Sequence, residues 1–286
     1  MGNSPRSISA RAAWCAEAVS GTAVEALLRR EDIVVLAALV VLIVLAWLAL
    51  FTGAGTGMDP FAMTGWLLPV TPPAAAPAWT LSYWLIMFFM WAAMMVAMML
   101  PSASPMVLLF ARVARQAEAQ GHDLRARAAI PAFASGYLAI WILFSLLAVM
   151  VQWGLERLGA LSAMMSLSAG LLSGSLLIAA GLYQLTPFKA ACLTHCRTPA
   201  SFLAAHWRKG VGGAWRMGLT HGLYCLGCCA VLMGLLFVGG VMNLIWVAAL
   251  TLLVAIEKLT PFGAAAAKTV GAILIAGGVA LVLTAW

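Results

Sequence analysis

Apolar runs of about eighteen residues or more recur along this chain, and a run of that length crosses roughly 30 Å of hydrocarbon as a helix. Seven are legible, at 33–51, 80–100, 131–151, 165–186, 217–238, 241–257 and 268–285. Within lipid each backbone N–H and C=O must find its partner inside the segment, which a helix provides. The expected fold class is therefore all-α, a polytopic transmembrane helical bundle of about seven spans. Composition agrees: 64% of the 286 residues are hydrophobic and only 9% are charged, which excludes a soluble globular domain.

The formal charge of +7 would suggest a nucleic-acid partner in a soluble protein, but here its distribution matters more. With the N-terminus inside, fifteen of the sixteen Lys and Arg residues fall on the cytoplasmic side and Arg157 alone lies outside. That asymmetry is the one the positive-inside rule describes. It predicts a multi-pass protein of the bacterial inner membrane with a cytoplasmic N-terminus, partnered by the lipid bilayer and by no nucleic acid. The first 32 residues are mixed and charged, unlike a cleavable signal sequence. They read as a cytoplasmic amphipathic segment (1–32) ahead of a transmembrane helical domain (33–286). Within that domain, 52–79 is rich in Gly and Pro and reads as one long external loop.

A short repeat marks the inner ends of two spans. Tyr183-Gln184-Leu185-Thr186-Pro187-Phe188 is echoed by Glu257-Lys258-Leu259-Thr260-Pro261-Phe262, and Leu100-Pro101 is expected to end the second span in the same way. Proline lacks the N–H that would continue a helix. Three hairpins of like orientation with a seventh, closing helix is the simplest arrangement consistent with this pattern.

The chemistry is concentrated in sulfur and imidazole. His221, Cys225 and Cys228 fall at i, i+4 and i+7 of the fifth span and so share one stripe, with Cys229 beside them. Ionisable groups inside a span usually mark a pathway or a bound species. Thiolate with imidazole suits Cu(I) or zinc rather than hard cations. Buried cysteine also packs as a small hydrophobe, which is the competing reading. The second span carries Met90, Met94 and Met98 on one face with Met87, and thioethers bind Cu(I) without losing a proton. Methionine is equally a packing residue. Beyond the fourth span, Cys192, His195 and Cys196 sit within one helical turn, a local set of at most three ligands to which His206 would add a fourth. Glu257 reads either as a relay at the inner mouth or as a salt-bridged partner of its neighbour Lys258. No nucleotide, hydrolase or metalloprotease motif is present. Catalysis is thus less expected than binding or transport.

Three blocks together resemble a family of bacterial integral membrane proteins of unknown function, described as metal-binding membrane proteins or copper chaperones. They are Trp91 to Ser102, Tyr183 to Lys189 with Cys192 and Cys196, and His221 to Cys229 with Met233, Gly240, Met242, Asn243 and Glu257-Lys258 downstream. Cys229 stands where many members carry Trp. The resemblance implies a soft metal, with copper foremost and zinc as the alternative. The combined expectation is a protein that binds Cu(I) and transports it or delivers it to an apo-metalloprotein or metallochaperone. A membrane thiol-disulfide relay and a non-catalytic accessory subunit are the rival readings.

Overall fold

The computed structural model describes residues 32–57, 60, 64, 78–121, 125–162, 165–168 and 170–285. The amphipathic segment expected at 1–32 and most of the loop expected at 52–79 lie outside these residues. Among them the regular structure is helical, with a single isolated bridge between Leu161 and Leu167. The helices are α1 (Asp32–Phe51), α2 (Leu81–Ala119), α3 (Ala126–Arg157), α4 (Gly170–Gln184), α5 (Pro187–Arg197), α6 (Pro199–His206), α7 (Gly210–Gly234), α8 (Leu236–Gly239), α9 (Leu244–Leu259) and α10 (Gly263–Thr284).

Five helical stretches are long and apolar enough to cross a membrane: α1, α2, α3, α7 continued by α8, and α10. A sixth is obtained if α4 and α5, bent by 64° at the Leu185-Thr186 break, count as one. The helix expected at 241–257 has 16 residues, about 24 Å at 1.5 Å per residue, which is shorter than a hydrocarbon core. The fourth helix starts at Gly170 rather than 165, because Leu161 to Ser168 close on themselves as a loop.

The expectation that α2 ends at Pro101 fails. The helix runs 39 residues, through both Pro101 and Pro105. Hydroxyls also donate to carbonyls close to Pro101: Ser102 Oγ to Met99 (3.0 Å), Ser104 Oγ to Leu100 (2.8 Å), and Tyr137 OH to Met99 (3.2 Å). Hydroxyls and neighbouring helices are what let a proline persist inside an apolar helix.

Glycines set the closest helix crossings. A Cβ at Gly218 of α7 would run into the Phe133 carbonyl of α3, and one at Gly136 of α3 would meet the Leu219 amide at 3.0 Å. Between α4 and α10, a Cβ at Gly181 would sit 2.6 Å from the Gly271 carbonyl, and one at Gly278 2.6 Å from the Gly174 carbonyl. Small residues allow backbones this near and let dispersion hold helices together where lipid removes the hydrophobic incentive. At Gly240 a φ of 93° turns α8 into α9, a conformation that favours glycine.

Long-range bonds fix the directions. Trp246 Nε1 of α9 donates to the Leu235 carbonyl (2.8 Å), while Lys258 twelve positions further meets Cys225 of α7, so α7 and α9 are antiparallel. The two echoed hexapeptides face one another: Gln184 Nε2 donates to Glu257 Oε1 at 2.8 Å. Large apolar side chains cover the outside, among them Leu45, Leu147, Ile245 and Ile273. The sulfur-rich positions point inward.

Candidate metal centre

The close α3–α7 crossing at Gly218 and Gly222 brings Tyr137 onto the face of α7 that carries Cys225. Its hydroxyl lies 3.2 Å from Cys225 Sγ. From the far side, α9 delivers Lys258, whose Nζ donates to Cys225 Sγ at 2.9 Å and to Ser102 Oγ at 3.3 Å. Cys228 Sγ donates to the Cys225 carbonyl (3.2 Å) and is 3.3 Å from Cys229 Sγ. Cys196, reaching over from α5, places its Sγ 3.9 Å from Cys228 Sγ. Thiols from two helices are therefore in sulfur-to-sulfur contact within the bundle. Cys225, Cys228 and Cys229 are buried, and the five described cysteines are all free thiols.

The second sulfur set on α5 is split. Cys192 is buried with Sγ against Gly227, where a Cβ would come within 2.7 Å of it. His195 turns elsewhere: its ring stacks on Tyr224 with centroids 4.0 Å apart and planes 2° apart, and Nδ1 bonds the Ala191 carbonyl at 2.9 Å. The expected Cys192–His195–Cys196 chelate is not assembled. Residues 195 and 196 lie about 100° apart on the helix, so when Cys196 faces α7 the imidazole turns toward the edge. His206 is anchored by Nδ1 to the Phe202 carbonyl (3.0 Å), with its ring 6.4 Å from that of His195. A carbonyl only accepts, so Nδ1 is the donor in both of these bonds.

His221 is buried among Phe133, Tyr137 and Phe202, with ring separations of 6.3, 5.6 and 5.3 Å. Among the described residues its Nδ1 has no hydrogen-bond partner, a rare condition for a buried polar atom and one that fits a metal ligand. Among the described residues, however, no three His, Cys, Asp or Glu side chains are already arranged to hold an ion. The donor types suit a soft cation, but side chains would have to rotate to converge on it. A four-ligand structural zinc site has no support in this arrangement.

The methionines of the α2 stripe are inside the bundle. Met87, Met90, Met94 and Met98 are all fully buried, which excludes a lipid-facing role for them. Glu257 and Lys258 do not pair with each other. Glu257 Oε2 binds Lys189 Nζ at 2.7 Å, Gln184 bridges both groups, and Lys258 turns to Cys225. Adjacent helical positions face different directions, which is why the sequence neighbours separate. The remaining polar candidates are structural: Tyr183 OH bonds the Gly227 carbonyl, and Asn243 caps α9 by accepting from the Trp246 amide (3.1 Å).

Tyr137 was not named from sequence, and Ser102 and Lys189 were named only as members of the motif blocks. Tyr137 carried a usable signal, since a tyrosine in mid-span must find a partner for its hydroxyl. Nothing in the one-dimensional pattern paired Lys189 with Glu257, which lie 68 positions apart.

No curated protein and no solved structure matches the chain. A family model named PpoB2 and described as copper chaperone matches residues 88–281, which contain Met90, Met94, Met98 and every described cysteine. With more than half of its length matched and the buried sulfur groups inside the matched region, the chain belongs to the PpoB2 copper chaperone family.

Proposed function

We propose that this protein is a multi-pass inner-membrane protein with a cytoplasmic N-terminus and seven crossings, and that its cargo is Cu(I). It takes the ion onto buried sulfur ligands and moves it across the membrane or hands it to an apo-metalloprotein or metallochaperone. The observation that carries this reading is the group of thiols Cys196, Cys225, Cys228 and Cys229 in mutual contact inside the bundle, with the Lys258 ammonium on Cys225. Cu(I) on two thiolates carries one negative charge, and a buried ammonium offsets it where the low dielectric would otherwise penalise the complex. His221, whose Nδ1 has no partner among the described residues, is the third candidate ligand. The buried Met90, Met94 and Met98 offer weaker thioether stations leading to the thiols. Cys192 and Cys196, on α5 packed against α7, are the proposed exit. Seven crossings would count the short α9 as a span, which its antiparallel run along α7 supports.

Anaerobic purification followed by metal analysis tests this directly. Copper near one equivalent or more is expected in the wild-type chain, and Cys225→Ser with Cys228→Ser should remove most of it. Absence of copper after loading would overturn the reading. A thiol-disulfide relay is the second reading, favoured by the 3.9 Å approach of Cys196 to Cys228 across two helices. Met94→Leu with Met98→Leu separates the two: copper uptake by cells should fall under the copper reading, whereas thiol oxidation would proceed unchanged under the relay.

A further inference from the structure

At the opposite end of the bundle from Lys258, three acceptors converge on one buried amide nitrogen. Gln152 Nε2 lies 3.5 Å from Met87 Sδ, 3.6 Å from Met165 Sδ and 2.9 Å from Glu156 Oε1. Gln152 is fully buried, as is Met87, and Met165 is 6% exposed. The neighbours of these groups are fixed as well. Trp91 Nε1 donates to Gln152 Oε1 (2.8 Å) and Trp79 Nε1 to Glu156 Oε2 (2.8 Å), so the amide and the carboxylate are each oriented by an indole.

Met165 reaches this point through an unusual backbone. Its φ is 52°, in the left-handed region that a non-glycine residue seldom occupies and that tends to persist where surrounding structure holds it for a purpose. Here the surroundings do hold it. Ser162 N donates to the Ser166 carbonyl (2.7 Å), the two serine hydroxyls meet at 2.8 Å, and Leu167 N donates to the Phe237 carbonyl (2.7 Å). The loop is tied to α8 in a form that carries the Met165 thioether inward, beside the first methionine of the α2 stripe.

We infer that Met87, Met165 and Glu156 form an outer site for the copper cargo, with the Gln152 amide occupying the ion's position until the ion arrives. This rests on the reading of Cu(I) as cargo. Two thioethers favour the soft monovalent ion, and one carboxylate neutralises its charge. Glu156 is only partly buried, which gives the site a face toward the bundle's outer mouth. From there Met90, Met94 and Met98 follow at one-turn intervals toward Cys225. Transfer along this series is ligand exchange, with no change in the oxidation state of copper or sulfur.

The test uses the full chain in detergent under anaerobic conditions, in a Cys225→Ser, Cys228→Ser background, with Cu(I) added directly. X-ray absorption should show copper with sulfur and oxygen neighbours. Met165→Leu and Met87→Leu, near-isosteric changes, should each weaken binding at least about tenfold, while Met150→Leu, on an exposed face of α3, should not. A cysteine-substituted chain that takes up no Cu(I), or one whose affinity ignores both methionine changes, overturns the outer site. Wild-type copper content untouched by the cysteine replacements instead overturns the inner thiol site alone.

Discussion

Replacing Glu257 by alanine is expected to cost the fold about 3–5 kcal/mol, because it strands the Lys189 ammonium in the bundle without its counter-charge. Both side chains are almost completely buried, and Gln184 alone cannot neutralise a cation. The loss should be greater than for an exposed pair such as Arg112 with Asp32, where solvent screens the charges. Changing both partners at once, Lys189→Met with Glu257→Leu, removes the stranded charge and should recover most of the loss. The measurement is the fraction of chain that stays monodisperse in detergent on heating, for each single variant and for the double. A Glu257→Ala chain as heat-resistant as wild type would show that the ion pair does not hold the α4–α5 bend to α9. The consequence reaches the metal centre, since α5 carries Cys192 and Cys196 and α9 carries Lys258.

That linkage explains how the sequence could reveal the parts of the site and miss its assembly. The cysteine stripe of α7 and the methionine stripe of α2 were legible because helical periodicity alone places i, i+3 and i+4 on one face. Their burial followed, since both stripes do face the interior. The assignment of partners across helices was not legible. Glu257 and Lys258 are adjacent, and the sequence offered them to each other, but about 100° of helical rotation sends one to Lys189 and the other to Cys225. His195 was grouped with its flanking cysteines by proximity along the chain, and the same rotation sends it to Tyr224 instead. Pro101 read as a terminator because proline lacks an N–H, whereas the helix runs on through it to Ala119 within the packed bundle. For Glu257, Lys258 and His195 the rule was sound, and a contact with another element decided the outcome.

Lys258→Met is expected to lower Cu(I) affinity about 10–100-fold, the usual effect of removing a group that orients or neutralises a metal ligand. The ammonium contacts Cys225 Sγ at 2.9 Å and Ser102 Oγ at 3.3 Å, so it holds the key thiol while anchored to the proline-containing stretch of α2. Methionine keeps the length and apolar stem of the side chain, and only the charge and its donors disappear. Lys258→Arg should retain much of the affinity, since the charge remains. Competition against a Cu(I) chelator of known affinity reads both variants on one scale. Equal affinity in wild type and Lys258→Met would mean that charge neutralisation at Cys225 is not what the buried lysine provides, and its role would reduce to pinning α9 against α2. A drop in Lys258→Met with recovery in Lys258→Arg would tie the buried charge to the metal–thiolate complex itself. It would also explain why an inward-facing cation is kept in so apolar a bundle, where an unpaired one is costly.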